Sequence, residues 1–502
     1  MARRDHRKDP QIGNFNNSDF DTVRLPLRFL QSRLGVSPHC EFLEEEENWW
    51  NRDGRAIGEA VDRSGTPWLR MFDRFGQRVD EVLFPPEYYS MLRRGYRAGI
   101  VWRAFEQQSI LPTCLLNYII SFSEPGICCP YAVSLGTAVP LAKYGSRELQ
   151  ERFLPQLLRR GDTVWQGATW MTEIKGGSDL GSAVETIATQ AGNRWQLTGD
   201  KYFASNVGAE LAVVAARPEG ANSGVRGLAL FLVPRYRENG HLNYFIRRLK
   251  DKIATRSVPT GEVELRESEG YLLGSADSGI YQILEVLNLS RVANSIVSVA
   301  LAQRAIAEAL AFAERRKAFG KSIFDQPLLH RQFELRLAKL QEAFALAWES
   351  VELLNEVWMQ RPPYSGRYQL FRLVAHLAKY WTAEFAVDTA KWSMEVHGGL
   401  GVLGECGVER WLREAMILAI WEGTSHRQML DGIEVMERKK AHRMLFELLS
   451  AANDPIEDAR EMEVRIDRHL RLPADEREAG AEPLFRSLAE FAATALARKY
   501  PR

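Results

Sequence analysis

The chain has 502 residues, 45% of them hydrophobic and 26% charged, which is enough for substantial cores and, on the usual relation of length to domain number, about three domains. Sixty-five Lys and Arg residues balance 65 Asp and Glu residues, which excludes a global field that would draw nucleic acid or an anionic membrane surface. The five cysteines, Cys40, Cys114, Cys128, Cys129 and Cys406, form no CxxC pair, so neither a disulfide framework nor a zinc site is expected.

The locally basic start, MARRDHRKD, lacks the apolar stretch of a secretory signal, and a cytoplasmic location is the expectation. Residues 1–80 mix charges, with an acidic run at Glu44–Glu47 and tryptophans at 49, 50 and 68. Their periodicity is weak, and they read as an extended N-terminal arm. From 81 to 165 the pattern is helical, with Leu149, Phe153, Leu154, Leu157 and Leu158 on one face of the segment 143–161. The stretches between Glu106 and Glu124 and between Glu124 and Lys143 carry no charge over 17 and 18 residues. Each contains Pro or Gly and polar residues, so they read as buried helices joined by turns rather than membrane spans.

Between 166 and 275 the signal changes to short strands at 184–190, 194–199, 211–217 and 227–234, separated by Gly, Asn and Pro, which predicts a middle β-domain. From 276 to 446 the helical period returns. Ile280, Ile283, Leu284 and Leu287 share one face, Phe333 to Val351 trace a second helix that Pro362-Pro363 ends, and Leu370 to Phe385 trace a third. This predicts a four-helix bundle. The tail, 447–502, is divided at Pro473 and reads as added helices.

Two segments carry chemistry. Trp421-Glu422-Gly423-Thr424-Ser425 sets a carboxylate directly before a glycine and two hydroxyl residues, and reads as an acid/base site. Trp170-Met171-Thr172-Glu173-Ile174-Lys175-Gly176-Gly177-Ser178-Asp179 offers hydroxyls and glycines that suit a flavin and its pyrophosphate. Alone, the first would be a helix end and the second a capped turn. With RLKDKIATRS at 248–257, GEVEL at 261–265 and MEVHGGLG at 394–401, the ordered set resembles the acyl-CoA dehydrogenase superfamily from about Val79 to Glu437. The likeness is greatest to the AidB-like, adaptive-response branch, whose lead-in resembles WLRMFDRFGQRVDEVLFPPEYY at 68–89. Gly399 to Gly404 also fits GxGxxG, but residues 370–396 before it have a helical period, not the strand that a dinucleotide-binding turn follows.

The resemblance implies an α+β fold: an N-terminal helical domain, a middle β-domain and a C-terminal four-helix bundle, here with an arm and a helical tail. It implies FAD as cofactor, an acyl-CoA as substrate and an electron-transfer flavoprotein as acceptor. Glu422 falls at the general base, which takes the α-proton while the β-hydride leaves for flavin N5, giving a trans-2-enoyl-CoA. The family's other base position precedes an arginine on the first bundle helix. Here it is Ser290, before Arg291, so Glu422 has no competitor. Arg291 falls where the family borders the acyl-CoA pocket, and Trp421 replaces a smaller tyrosine common in relatives, narrowing the acyl channel.

For the cofactor, Met171 and Thr172 correspond to contacts at the pyrimidine edge of the isoalloxazine, and Ser178 to contacts with the pyrophosphate and the thioester region. Phe203 and Ser205 stand for the aromatic that packs on the ring and the hydroxyl that meets N5, where many members have Trp and Thr. Arg316 and Phe319 lie in an RxxFG signature through which a neighbouring subunit reaches the pyrophosphate, which implies a homotetramer. Glu395 and Gly399 fall on the adenine-ribose side, Glu395 replacing a glutamine. Thr424 and His426 complete the pocket, His426 replacing Gln or Asn.

A different class of function is an AidB-like flavoprotein with weak dehydrogenase activity that acts in DNA protection or acyl-CoA sensing. A basic tail would favour DNA, whereas residues 447–502 hold twelve acidic and nine basic residues. A flavin oxidase or monooxygenase on the same fold would turn on oxygen access. Acyl chain length has no signature in the sequence.

Overall fold

The computed structural model describes residue 15 and residues 17–35, 41–452 and 459–500; Cys40 lies outside them. The chain begins with α1 (Asn17–Thr22), α2 (Pro26–Leu34), α3 (Glu41–Trp49) and α4 (Arg55–Ser64), with a π-turn at Trp50–Gly54, and continues into a hairpin of β1 (Trp68–Phe72) and β2 (Arg78–Leu83). This corrects the extended arm. Helices of six to ten residues repeat their apolar face too few times to leave a period, yet Phe29, Leu30, Leu43 and Trp50 are fully buried. The acidic run is part of the packing: the Leu27 N–H donates to Glu47 at 2.6 Å, and Arg94 pairs with Glu46 at 2.9 Å. The boundary expected at residue 80 falls inside β2.

The helical domain holds α5 (Pro86–Ala98), α6 (Trp102–Glu106), α7 (Leu111–Ser123), α8 (Cys128–Tyr144) and α9 (Arg147–Leu157). The two uncharged stretches are α7 and α8, buried on nearly every side. Ser146 caps α9, its hydroxyl accepting from the Leu149 N–H at 3.3 Å.

The middle domain contains β3 (Gly167–Trp170), a one-turn α10 (Leu180–Ala183), β4 (Ile187–Ala191), β5 (Arg194–Ser205), β6 (Leu211–Pro218), β7 (Ala229–Pro234), β8 (Phe245–Leu249) and β9 (Thr260–Leu272). The strand order is β3-β6-β4-β5-β9-β7, and pairing of β6 with β7 closes the path into a small barrel, with β8 on β9. β3 lies against α8: a Cβ at Gly167 would sit 2.5 Å from Thr137 Oγ1, and the Gly167 N–H donates to Ser134 at 2.9 Å.

The bundle follows, with α11 (Gly279–Arg315), a short hairpin of β10 (Lys317–Ala318) and β11 (Lys321–Ser322), α12 (Pro327–Val357), α13 (Gly366–His397), α14 (Glu409–Ile420) and α15 (Ser425–Lys439). Among the described residues, α11 with its lead-in is the one helix long and apolar enough to cross a membrane. Its most apolar 18-residue window is 78% buried, within the bundle. The tail forms α16 (Ala441–Ala452), α17 (Ala459–Leu470), α18 (Ala474–Ala479) and α19 (Ala481–Ala497). α19 returns to the bundle, its Phe485 ring 5.7 Å from Tyr380 on α13. The GxGxxG stretch lies in 3-10 turns after α13, with no strand before it.

Candidate active site

Glu422 stands in the tight turn between α14 and α15, with φ of 58° at Glu422 and 93° at Gly423. A left-handed backbone costs a non-glycine residue roughly 1–2 kcal/mol, so the surroundings must hold it. They do so through backbone carbonyls. Arg291 Nε donates to the Glu422 carbonyl at 3.3 Å, and Gln428 Nε2 donates to the carbonyls of Glu422 at 3.1 Å and Gly423 at 2.9 Å. Lys379 Nζ, on α13, donates to Gly423 at 2.7 Å and Ala419 at 3.2 Å. His376 Nδ1 meets Gln428 Oε1 at 2.9 Å and fixes that amide.

Burial raises the Glu422 carboxyl above the ordinary range, and the cations of Arg291 and Lys379 pull it partly back. Burial pushes the Lys379 ammonium down to about 7. Arg291 is itself buried, bonded to Asn288 at 2.9 Å and to Asp431 at 3.3 Å. The Trp421 indole donates to Asn294 Oδ1, and Asn294 Nδ2 donates to the Leu418 carbonyl at 3.2 Å. Glu422 and Trp421 line a small cavity with Asn117 of α7, Cys129 of α8, and Ser290 and Asn294 of α11. Ser290, the position of the family's alternative base, therefore faces the same space as Glu422.

The segments expected to hold a flavin meet on the barrel. The Tyr202 N–H donates to the Thr172 carbonyl at 2.9 Å, Trp170 Nε1 to the Ser205 carbonyl at 3.0 Å, and Asn206 Nδ2 to the Gly167 carbonyl at 2.9 Å. Lys201 and Glu173, both buried, pair at 2.6 Å beneath them. The register of β5 against β9 shifts between Lys201 and Ala204, and on this bulge Phe203 has φ of 54° and remains 58% exposed. A bulky aromatic held left-handed and outward on a barrel strand points to a ligand face. Gly177 leaves room for the Thr172 hydroxyl, from which a Cβ there would sit 2.6 Å. An outward ring, adjacent hydroxyls at Thr172 and Ser205, and a side-chain-free approach at Gly177 fit a flavin and its pyrophosphate.

The flavin face and the base are contiguous. Burial pushes the Cys129 thiol up to about 12, with the Glu422 charge adding to the rise and the Ser205 hydroxyl opposing it. Ser205 Oγ lies 3.3 Å from Thr260 Oγ1, which accepts from Lys252 Nζ at 3.0 Å. Met171 is buried, Thr172 half-buried and Ser178 exposed. Thr424 is the residue before the first turn of α15, and His426 is exposed on that turn.

The remaining expected residues lie elsewhere. Arg316 follows the end of α11, 22 residues beyond Asn294, or about 30 Å at 1.5 Å per residue. Phe319 and Gly320 form the tip of the β10–β11 hairpin, with φ of 52° and 83° and Phe319 98% exposed. Glu395 and Gly399 are nearby, since His397 stacks on Phe312 with centroids 4.4 Å apart. The Glu395 carboxylate is exposed and paired with Lys391, which offsets its charge. Sequence reasoning missed Lys379, Gln428, Glu173 and Lys201. Lys379 had one signal, an ammonium within the apolar run Leu377–Ala383.

Residues 11–161 match the adaptive response protein AidB N-terminal domain, residues 168–268 the acyl-CoA dehydrogenase middle domain and residues 277–436 the acyl-CoA dehydrogenase C-terminal domain. The mitochondrial long-chain specific acyl-CoA dehydrogenase of Sus scrofa is 30% identical over 428 residues, 83% of this chain and 86% of that protein. AidB of Escherichia coli (strain K12) is 26% identical over 85% of this chain and 81% of its own length. Acyl-CoA dehydrogenase family member 11 of Caenorhabditis elegans is 29% identical over 74% of this chain, and the match spans 63% of that relative. The solved structure of Bd2924 in its apo form superposes with a TM-score of 0.85 at 28% identity, covering 96% of each chain. With these domains in this order, the chain belongs to the acyl-CoA dehydrogenase family of flavin oxidoreductases, in its AidB-like branch.

Proposed function

We propose that this protein is an FAD-dependent acyl-CoA dehydrogenase in which Glu422 removes the α-proton of the acyl thioester. The observation that carries the reading is adjacency: Cys129 lines the cavity of Glu422, and its thiol is influenced both by the Ser205 hydroxyl on the flavin side and by the Glu422 carboxyl. FAD along Met171, Thr172, Ser178, Phe203 and Ser205 supplies the hydride acceptor. Glu422 does the proton chemistry, its carboxyl raised by burial toward the basicity that the weakly acidic α-carbon demands. Arg291, Gln428 and Lys379 hold the turn so that the carboxylate need not reorganise during transfer. Trp421, tied to Asn294, closes the side of the acyl cavity and excludes water there.

Arg316 and Phe319 lie beyond the far end of α11, too far to serve the same protomer's site, which supports cofactor sharing between subunits of a homotetramer. An electron-transfer flavoprotein is the proposed acceptor. Anaerobic mixing with a panel of acyl-CoAs, following loss of flavin absorbance, tests the reading. Glu422→Gln should keep FAD and acyl-CoA binding and lose about 10²- to 10⁴-fold in reduction rate. An unchanged rate in that variant would remove Glu422 as the base. The AidB-type N-terminal match favours a second reading, an acyl-CoA-sensing or DNA-protecting flavoprotein. Retained acyl-CoA binding with no reduction in wild type would select it.

A further inference from the structure

The acyl cavity is not uniformly apolar. Two carboxamides line it with Glu422, and they differ in what they do. Asn294 is committed, its Oδ1 accepting from Trp421 and its Nδ2 donating to the Leu418 carbonyl. Asn117, on α7, is 5% exposed, and its Oδ1 has no hydrogen-bond partner among the described residues. A buried amide oxygen left unpaired is costly, and nearly all such groups in folded proteins find a partner. Ser290 adds a hydroxyl to the same wall.

We propose that the acyl group processed here carries a neutral hydroxyl beyond its β-carbon, which Asn117 recognises. The inference rests on reading this cavity as the acyl pocket. The α- and β-carbons must stay between Glu422 and the flavin face, so a group that meets Asn117 belongs to the γ-carbon or further out. A hydroxyl both donates and accepts, matching the two halves of a carboxamide. A carboxylate is disfavoured because it would lie beside the Glu422 carboxyl in the same cavity, while Arg291 and Lys379 are committed to backbone carbonyls and to Asp431.

The test compares pentanoyl-CoA with 4-hydroxypentanoyl-CoA and 5-hydroxypentanoyl-CoA, which are close in length. Two quantities are read: kcat/KM for anaerobic flavin reduction by wild type, and affinity for Glu422→Gln by titration. One hydroxylated thioester should be preferred by about ten-fold, the scale of a single buried neutral hydrogen bond. Asn117→Leu should bring that ratio close to one. Equal or better use of pentanoyl-CoA by wild type overturns the proposal without needing any variant to fold. So does a preference that survives in a folded, FAD-containing Asn117→Leu protein. If no thioester reduces the flavin, dehydrogenation fails as the function, and the affinity ratio still decides whether the cavity reads a hydroxyl.

Discussion

Lys379 shows how much a residue outside the cavity can contribute to the base. Its side chain is buried, and its ammonium bridges the carbonyls of Ala419 and Gly423 on either side of Glu422. It therefore acts on geometry and on charge. Lys379→Met removes both, and kcat for flavin reduction should fall by about ten-fold, because the turn that carries Glu422 is loosened. The ammonium favours the ionised carboxylate, so without it the carboxyl pKa rises further and the acid limb of the pH–rate profile moves to higher pH. Stability gives an independent check. The Lys379 pKa falls from 10.5 in the unfolded chain to about 7, so between these values the unfolded state binds more protons. The unfolding free energy of wild type relative to the variant should rise from pH 7 to about pH 10. A flat difference would mean that the buried ammonium is not titrating there.

At the scale of elements, the β10–β11 hairpin separates structure from contact unusually well. Positive φ at both tip residues is the type I′ arrangement, for which Asn-Gly is the favoured pair, whereas this chain places Phe319 before Gly320. Phe319→Asn should therefore tighten the turn while deleting the exposed ring. If the ring reaches a neighbouring protomer, the variant should assemble less and release FAD more readily, as measured by light scattering and cofactor retention. An intact, FAD-saturated assembly would show that the ring is dispensable.

The same scale explains what could be read from the sequence. α11, α12 and α13 were legible because each repeats its apolar face many times, and β6 and β7 because they are continuous apolar runs. β8 and β9 were not, since Arg247, Arg248, Glu262 and Glu264 pair with one another across the outer face and mask the alternation. In the site, Glu422, Phe203 and Ser205 could be picked out by motif order. Asn117 and Gln428 could not, because a lone amide within a helix reads as a solvent-facing residue until its surroundings are known.

For the molecule as a whole, three regions converge on α14, the helix that leads into the Glu422 turn. Arg413 pairs with Asp62 of α4 at 2.7 Å, and the Thr255 N–H of the β-domain donates to Glu414 at 2.9 Å. Arg410 pairs with Glu124 at the end of α7, and Ser257 donates to that same carboxylate at 3.2 Å. Glu124 and Arg410 are almost wholly buried. Glu124→Ala would strand the guanidinium, and a loss of about 3–5 kcal/mol by denaturant unfolding is expected. Gly58 of α4 leaves the room for this pair, since a Cβ there would collide with the Glu124 carboxylate. The junction therefore makes the chain a poor subject for recombination. A chimaera that takes its first 161 residues from a relative must carry Gly58, Asp62 and Glu124 or their equivalents along with the bundle's Arg410 and Arg413. Inheritance of this fold by exchange of whole domains is thereby restricted to donors that already share that ionic lock.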